Sequence, residues 1–226
     1  MSISQQQIRN LIELYEKKKY QETEKFALFL IDKFPRQPFL WKMLGIALKQ
    51  SGKLKKALVS MQKSVQLAPL DFECHNNLGI TLRELGRLEE AEKSLRQVTK
   101  LKPDHIFAHN NLGITLQALG RLDEAEESCK QAIKLKPDFL DAHNNLGNIF
   151  LKLDKLIAAE KSYRQVIKLK SDYAIGYCNL GITLKALGRF DEAEKNYKQA
   201  IKLKPDFTEA YDALAVVMNL KGDLKS

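Results

Sequence analysis

The sequence predicts an all-α fold built as a solenoid of antiparallel helix pairs, and three observations predict it. The stretch at 109–116 returns in related form every 34 residues. Within each period, apolar residues recur at helical spacing in two segments. A glycine follows the first segment and a proline ends the second in most periods. A fixed period of this length is typical of a repeat array, in which each repeat packs on its neighbours.

The pattern divides the chain into three parts. Residues 1–37 are expected to form a degenerate N-terminal helix pair, because Pro35 lies one period before the next junction proline. Five repeats follow over 38–207. Residues 208–226 are expected to form the C-terminal helix of an incomplete sixth repeat, with a turn beginning at Gly222.

The repeat at 106–139 shows how the pattern specifies a helix pair. Its first helix is expected over 106–119 and its second over about 123–135. Gly113, Ala125 and Ala132 are small, so the two helices can approach closely while leucines fill the space between them.

The repeat at 140–173 departs from the pattern at two positions. Asp154 stands in the column of the turn glycine, and Ser171 stands in the column of the junction proline. Aspartate tolerates a left-handed turn, so the helix pair is expected to form. The joint near Ser171 is expected to be the least rigid.

The repeated residues resemble the tetratricopeptide repeat, whose pattern combines a tryptophan, a Leu-Gly pair, an alanine and a proline over 34 positions. Trp41-Lys42-Met43-Leu44-Gly45 matches its opening, and alanine and proline columns match the rest. The resemblance implies a right-handed α-solenoid, the tetratricopeptide superhelix, with first helices lining the inner surface.

Composition restricts the setting of the protein. Hydrophobic residues form 44% of the chain and charged residues 29%, as in a folded, soluble helical protein. No apolar run approaches the roughly 20 residues of a membrane span, and the polar N-terminus lacks a signal core. A cytoplasmic protein with no membrane partner is expected. Cys74, Cys129 and Cys178 fall at different phases of the repeat, so reduced structural thiols are expected.

The net charge of +9 raises the question of a nucleic-acid partner. Acidic residues open the second helices and lysines close them, which complements the helix macrodipole at both ends. Because the lysines recur at helix ends and form no aromatic-interleaved stripe, no nucleic-acid partner is expected.

No enzymatic site is expected. His75, His109 and His143 occur one per repeat, roughly 10 Å apart by helix packing, which is too far to share a metal ion. They occupy the column of Trp41, and a packing role is expected for them. No phosphate-binding loop or catalytic grouping occurs, so neither a metal nor another cofactor is predicted.

The clearest candidate site is a column of asparagines in the first helices. An amide side chain offers both a donor and an acceptor, so a column of amides can bracket a peptide backbone. The column resembles the asparagine ladder in the tetratricopeptide arm of O-linked N-acetylglucosamine transferases. The alternative is that asparagine is merely tolerated there. The predicted peptide-binding residues are the main ladder Asn77, Asn111, Asn145 and Asn179 and the neighbouring partial ladder Asn76, Asn110 and Asn144.

The ladder also predicts the size of its ligand. Three helix spacings from Asn77 to Asn179 span roughly 30 Å. At about 3.3 Å per extended residue, this length corresponds to about nine residues of bound peptide.

An apolar stripe lies further along the same helices. It comprises Ile46, Ile80, Ile114, Ile182 and Val216, with Asn148 interrupting it. The stripe is either an apolar floor of the binding groove or a packing surface between first helices. Its isoleucines argue against the carboxylate clamp of chaperone-binding tetratricopeptide domains, which uses asparagine in that column.

These features predict a protein–protein interaction scaffold that binds an extended peptide or protein segment in its concave groove. The alternative is the substrate-recruiting N-terminal arm of a larger enzyme, such as a glycosyltransferase. The last helix carries apolar residues, among them Val216 and Met218, where a terminal helix should be polar. Either the chain is expected to continue beyond this helix, or the helix is expected to self-associate with another copy.

Overall fold

The computed structural model describes residues 3–223, and these contain thirteen α-helices and no β-strand. The helices are α1 (Gln5–Glu16), α2 (Tyr20–Lys33), α3 (Pro38–Gln50), α4 (Leu54–Leu67), α5 (Phe72–Glu84), α6 (Leu88–Leu101), α7 (Ile106–Ala118), α8 (Leu122–Leu135), α9 (Leu140–Lys152), α10 (Leu156–Leu169), α11 (Ala174–Ala186), α12 (Phe190–Leu203) and α13 (Thr208–Asp223). The predicted all-α fold of antiparallel helix pairs is confirmed.

The chain forms two compact units, unit 1 over residues 1–115 and unit 2 over residues 116–226, and the boundary falls within α7. In unit 1, α3 packs on α4 and α5 on α6, and the second helices α2 and α4 pack on the first helices α3 and α5 that follow them. Unit 2 repeats this order from α8 to α13. The hydrophobic core in each unit therefore runs continuously from one helix pair to the next.

The helical glycines of the Leu-Gly pairs are required by close contact within a helix pair. A Cβ atom on Gly147 would lie 2.6 Å from Cε1 of Tyr163, and one on Gly181 would lie 2.6 Å from Cε1 of Tyr197. In unit 1, a Cβ on Gly79 would lie 2.8 Å from Cγ of Leu95. Such distances are too short for non-bonded carbons, so any larger residue would push the two helices apart.

The turns between paired helices use a left-handed residue. Gly52, Gly86, Gly120 and Gly188 have φ between 73° and 76°. Asp154 has φ of 56° at the equivalent place, so the prediction that aspartate would preserve this turn is confirmed. Lys18 does the same in the first helix pair, with φ of 57°.

The last helix is longer than predicted. Helix α13 continues through Gly222 to Asp223, so the predicted turn at Gly222 is wrong. A single glycine lowers helix stability by only about 1 kcal/mol and does not by itself end a helix. Residues 1–2 of the predicted first segment and residues 224–226 of the last one lie outside the described residues.

Candidate peptide-binding site

The main asparagine ladder lies in the middle of the first helices. Each member stands immediately before a buried leucine, which fixes one side of the helix against the core. The asparagines themselves are half-buried. They are Asn77 on α5 and Asn111 on α7 in unit 1, and Asn145 on α9 and Asn179 on α11 in unit 2.

Threonines one turn later engage the backbone of three of these asparagines. Thr81 Oγ1 donates to the carbonyl of Asn77 at 2.9 Å, and Thr183 Oγ1 donates to that of Asn179 at the same distance. Thr115 does the same to Asn111 at 2.8 Å. These bonds use the buried side of the helix and leave the amide side chains at the partly exposed surface.

In unit 2, the two ladders meet across neighbouring first helices. The Asn179 side chain on α11 donates from Nδ2 to Oδ1 of Asn144 on α9 at 3.2 Å. One residue of the main ladder and one of the partial ladder therefore form a single polar strip. An amide has two donor hydrogens and an acceptor oxygen, so one such bond does not exhaust it.

In unit 1, a cation bonds a ladder asparagine across neighbouring first helices. Arg83 Nη1 on α5 donates to Oδ1 of Asn111 on α7 at 3.4 Å. Burial lowers the pKa of the Arg83 guanidinium. A partly desolvated cation beside the ladder favours ligands that present carbonyl or carboxylate oxygens. Arg83 is not among the predicted site residues, although it lies one turn beyond the isoleucine column in the sequence.

Two ion pairs flank the unit 1 strip. Lys49 pairs with Glu84 at 2.8 Å, and Lys42 pairs with Glu73 at 2.6 Å. Burial acts to lower the pKa of Lys42, but the hydrogen bond to Glu73 and the charges of Asp71 and Glu73 raise it above its ordinary value. The first-helix surface of unit 1 is thus strongly polar around the asparagines.

Part of the partial ladder is buried. Asn110 is only 6% exposed, and Oδ1 of Asn76 is buried without a hydrogen-bond partner. Within this column, the Asn144 amide oxygen accepts a hydrogen bond from the main ladder.

Asn148 is explained by packing within its own helix pair. Its Oδ1 accepts a hydrogen bond from the hydroxyl of Tyr163 at 2.7 Å, and Tyr163 is fully buried. Asparagine replaces isoleucine at this position and satisfies the hydroxyl that the tyrosine brings into the core. In the next repeat, Ile182 occupies that column and the hydroxyl of Tyr197 is buried without a partner.

The remaining apolar stripe changes character along the chain. Ile46 packs against a core cluster in unit 1, which fits the packing interpretation. Ile80 and Ile114 are half-buried. Ile182 and Val216 in unit 2 are exposed at their surface, which fits an apolar surface available to a ligand.

The histidine column has a structural role, as the sequence analysis expected. Nε2 of His75, His109 and His143 lies 2.9, 2.7 and 2.8 Å from the carbonyl oxygen six residues earlier, that of the junction proline. Trp41 Nε1 makes the equivalent bond to Pro35 at 2.8 Å. Each side chain therefore ties the start of a repeat to the preceding junction. His105 differs, because its Nδ1 accepts a hydrogen bond from the backbone N–H of Ala108 at 3.0 Å.

The cysteines are buried in the structure. Burial raises the pKa of Cys74 to about 11 and that of Cys129 to about 12, and it also raises the pKa of Cys178. Thiols in such surroundings are unreactive packing groups. Among residues 3–223, no group of three or more His, Cys, Asp or Glu side chains is placed to hold a metal ion. None of the helices described here combines the length and apolar character of a membrane span.

The second helices carry an ion-pair pattern that the sequence analysis missed. The basic residue that precedes a second helix bonds a glutamate in the second helix of the preceding repeat. The pairs are Lys53–Glu24 at 2.7 Å in unit 1, and Lys155–Glu126 and Arg189–Glu160 at 2.8 Å each in unit 2. In the sequence, a basic residue and a glutamate recur at fixed positions of the repeat. That these two columns contact each other depends on how the repeats stack.

Family models match the chain in several places. One described as tetratricopeptide repeat matches residues 106–139 and 174–207, and another described as TPR repeat matches 81–120 and 147–188. A third, also described as tetratricopeptide repeat, matches 60–93. Together the matches span more than half of the chain. The chain belongs to the tetratricopeptide repeat family, whose members are protein-interaction scaffolds.

Solved structures share the fold at low sequence identity. PilW, a type IV pilus biogenesis factor, is similar with a TM-score of 0.85 and 19% identity, over 94% of this chain and all of that one (100%). PilF of Pseudomonas aeruginosa is similar with a TM-score of 0.79 and 17% identity, over 92% and 95% of the two chains. YrrB has a TM-score of 0.67 and 18% identity, over 83% and 96%. No curated protein matches this chain significantly.

Proposed function

We propose that this scaffold binds an extended polypeptide segment along its first-helix surface, through the backbone of the ligand. The observation that carries the proposal is the polar contact that ladder asparagines make between first helices within each unit. Asn179 bonds Asn144 across neighbouring first helices in unit 2, and Arg83 bonds Asn111 in the same manner in unit 1. A backbone peptide group needs one acceptor and one donor, which an amide supplies regardless of ligand sequence.

The remaining features of the surface are compatible with such a ligand. The exposed Ile182 offers an apolar contact one turn beyond Asn179 on α11. The similar YrrB is described as a TPR protein with an unusual peptide-binding site. That description concerns YrrB, and it supports a peptide ligand here by analogy of fold.

The test begins with a peptide selected from a displayed random library against the full chain. We then expect Asn145→Ala with Asn179→Ala to weaken its binding about tenfold or more, since two hydrogen bonds of about 1 kcal/mol each are lost. Asn77→Ala with Asn111→Ala tests unit 1 in the same way. Calorimetric titration gives the Kd values.

Asn196→Ala is the matched control. Asn196 lies on the second helix α12, where its Nδ2 donates to the Glu192 carbonyl at 2.8 Å. This variant makes the same chemical change away from the ladder and should keep the wild-type Kd. Both ladder variants binding as tightly as Asn196→Ala would refute the proposal.

We also propose self-association through α13. This helix exposes a group of large apolar side chains, Tyr211, Val216, Met218 and Leu220, whereas Val217 and Ala210 face the core. Large apolar side chains left exposed on a helix favour burial against another surface. Sedimentation of the chain should show a dimer that Val216→Lys with Met218→Lys converts to a monomer. A wild-type chain that stays monomeric at high concentration would contradict it.

A further inference from the structure

A groove on the second-helix side of unit 1 is not used by the proposed function. It has a volume of about 360 Å³ and lies between α2 and α4. Leu28 and Val59 form its walls, and Trp41, Leu44 and Leu48 of α3 form its floor. Leu28 is 49% exposed and Val59 is 63% exposed. The floor is therefore apolar, and each wall presents an apolar side chain that is open to solvent.

Unit 2 contains an equivalent groove between α8 and α10, and this provides an internal comparison. Its volume is about 480 Å³, and its floor comes from the same three columns of the repeat, occupied by His143, Leu146 and Phe150. Its walls differ. Lys130 stands in place of Leu28, and Lys161 stands in place of Val59. The groove itself is a consequence of stacking, whereas apolar residues in these two columns are particular to the unit 1 groove.

The other repeats show that these two columns are normally polar. The column of Leu28 otherwise holds Gln62, Arg96, Lys130, Arg164 and Lys198. The column of Val59 otherwise holds Lys25, Lys93, Glu127, Lys161 and Lys195. The fold thus accepts charged residues at both positions. Two apolar exceptions that face one groove point to a surface that a partner covers.

Charge beside the groove indicates what kind of partner fits. Helix α4 carries Lys55, Lys56 and Lys63 and no acidic residue, and Lys56 also lines the groove. Most other second helices open with acidic residues instead, as at 89–90, 123–124 and 191–192. The acidic residue in the groove lining, Glu24, pairs with Lys53 at 2.7 Å. A ligand with carboxylates beside its apolar anchors is complementary to this rim.

We propose that the α2–α4 groove of unit 1 binds an acidic amphipathic helix of a partner protein. Apolar side chains at helical spacing enter between Leu28 and Val59 above Trp41, and carboxylates on the flank of the same helix meet Lys55 and Lys56. A groove between two helices accepts a third helix in this way. The groove is concave and therefore fits individual side chains that project from a helix. A flat lipid surface has no such side chains.

Trp41 provides a built-in reporter because it is the single tryptophan of the chain and lies in the groove floor. The probe is a stapled helical peptide of about 16 residues, long enough to form four turns, with leucines at i, i+3, i+4 and i+7, glutamates elsewhere and a dansyl acceptor. We expect energy transfer from Trp41 to dansyl that saturates with peptide concentration.

Two variants make the test specific. Leu28→Lys with Val59→Lys reproduces the walls of the unit 2 groove and should weaken binding about tenfold or more. Ile157→Glu removes another exposed aliphatic residue, on α10 outside the groove lining, and should leave the affinity unchanged. Circular dichroism checks that both variants keep their helices. A peptide with lysines in place of the glutamates should bind more weakly than the acidic peptide.

Three results would overturn the proposal. The first is the absence of saturable energy transfer, and the second is equal peptide affinity in the wild type and the Leu28→Lys, Val59→Lys variant. The third is that the wild type binds phosphatidylcholine–phosphatidylglycerol vesicles and not the peptide, and that the same variant abolishes the vesicle binding. The last result would assign the surface to a membrane. The asparagine ladder variants leave this groove unchanged, so failure here is distinguishable from failure of the first-helix proposal.

Discussion

Single residues decide how closely the two helices of a repeat approach. Glycine follows leucine in the middle of α9 and α11 because the facing tyrosine ring occupies the space that a side chain would need. The size of the facing residue varies from repeat to repeat, whereas the glycine does not vary among the five clear repeats. The contact is therefore set by the approach of the helices and not by one particular side chain.

Replacing Gly147 by alanine tests this contact. Alanine is the better helix former, yet we expect Gly147→Ala to lower the free energy of unfolding by about 1–3 kcal/mol, because its Cβ would overlap the Tyr163 ring. Urea unfolding measures the change. Gly222→Ala is the control, since no atom lies within 4 Å of a Cβ built there. If the Gly147→Ala protein is as stable as the Gly222→Ala protein, α9 and α10 can move apart without a loss in the free energy of unfolding, which contradicts this prediction.

At the scale of the helix pair, a buried tyrosine on the second helix determines whether a polar residue is favoured on the first helix. Tyr163 on α10 is buried with its hydroxyl bonded to Asn148 on α9. In the next repeat Ile182 occupies the column of Asn148, and the buried hydroxyl of Tyr197 on α12 has no partner. Burial raises the pKa of both tyrosines, so both hydroxyls stay protonated. A buried hydroxyl without a partner costs free energy that a single amide can recover.

Exchanging the two column residues should therefore have opposite effects. Asn148→Ile leaves the Tyr163 hydroxyl unpaired and should destabilise the chain by about 1–3 kcal/mol. Ile182→Asn gives the Tyr197 hydroxyl a partner and should stabilise it by up to about 1 kcal/mol. Thermal unfolding of both variants measures the signs, and Asn148→Ile with Tyr163→Phe should recover part of the loss. Changes of the same sign in the two single variants would contradict this account.

The sequence predicts the helix pairs and the residue columns of the repeat, but it does not predict which columns contact each other. The 34-residue period, the turn glycines and the junction prolines specify where the helices lie, and even Asp154 was interpretable from its tolerance of a left-handed turn. The Asn148–Tyr163 bond joins positions fifteen residues apart, and the pair Lys155–Glu126 joins two repeats. Their spacing follows from the crossing and stacking of helices, which hydrophobic periodicity alone does not specify.

The whole molecule carries charge arrangements that make its stability depend on pH. In unit 2, hydrogen bonds from Lys198 and Lys221 lower the pKa of Glu194 from 4.5 to about 2. The hydrogen bond from Lys221 also lowers the pKa of Asp191. A carboxylate whose pKa is lower in the folded chain binds protons more tightly after unfolding. Its contribution is fully present above pH 4.5 and is lost as pH falls towards 2.

The acid sensitivity of unfolding tests this charge arrangement. We expect the melting temperature of the wild type to fall between pH 5 and about pH 2.5 more steeply than that of Glu194→Gln, which has no carboxylate to protonate at this site. About 1 M salt should reduce this difference between the two proteins, because salt screens the attraction between the Glu194 carboxylate and its lysine partners. Parallel curves for the two proteins at low salt would show that these ion pairs do not stabilise the fold.

The central claim is that the ladder binds the backbone of an extended ligand, and N-methylation of the selected peptide tests it most directly. Methylation of one central amide removes a backbone donor and leaves every side chain in place. We predict that calorimetry will show about tenfold weaker binding after this change, and less than about threefold weaker binding after alanine replaces the side chain of the same residue. Loss of binding with the side-chain change, together with tolerance of N-methylation, would contradict the account.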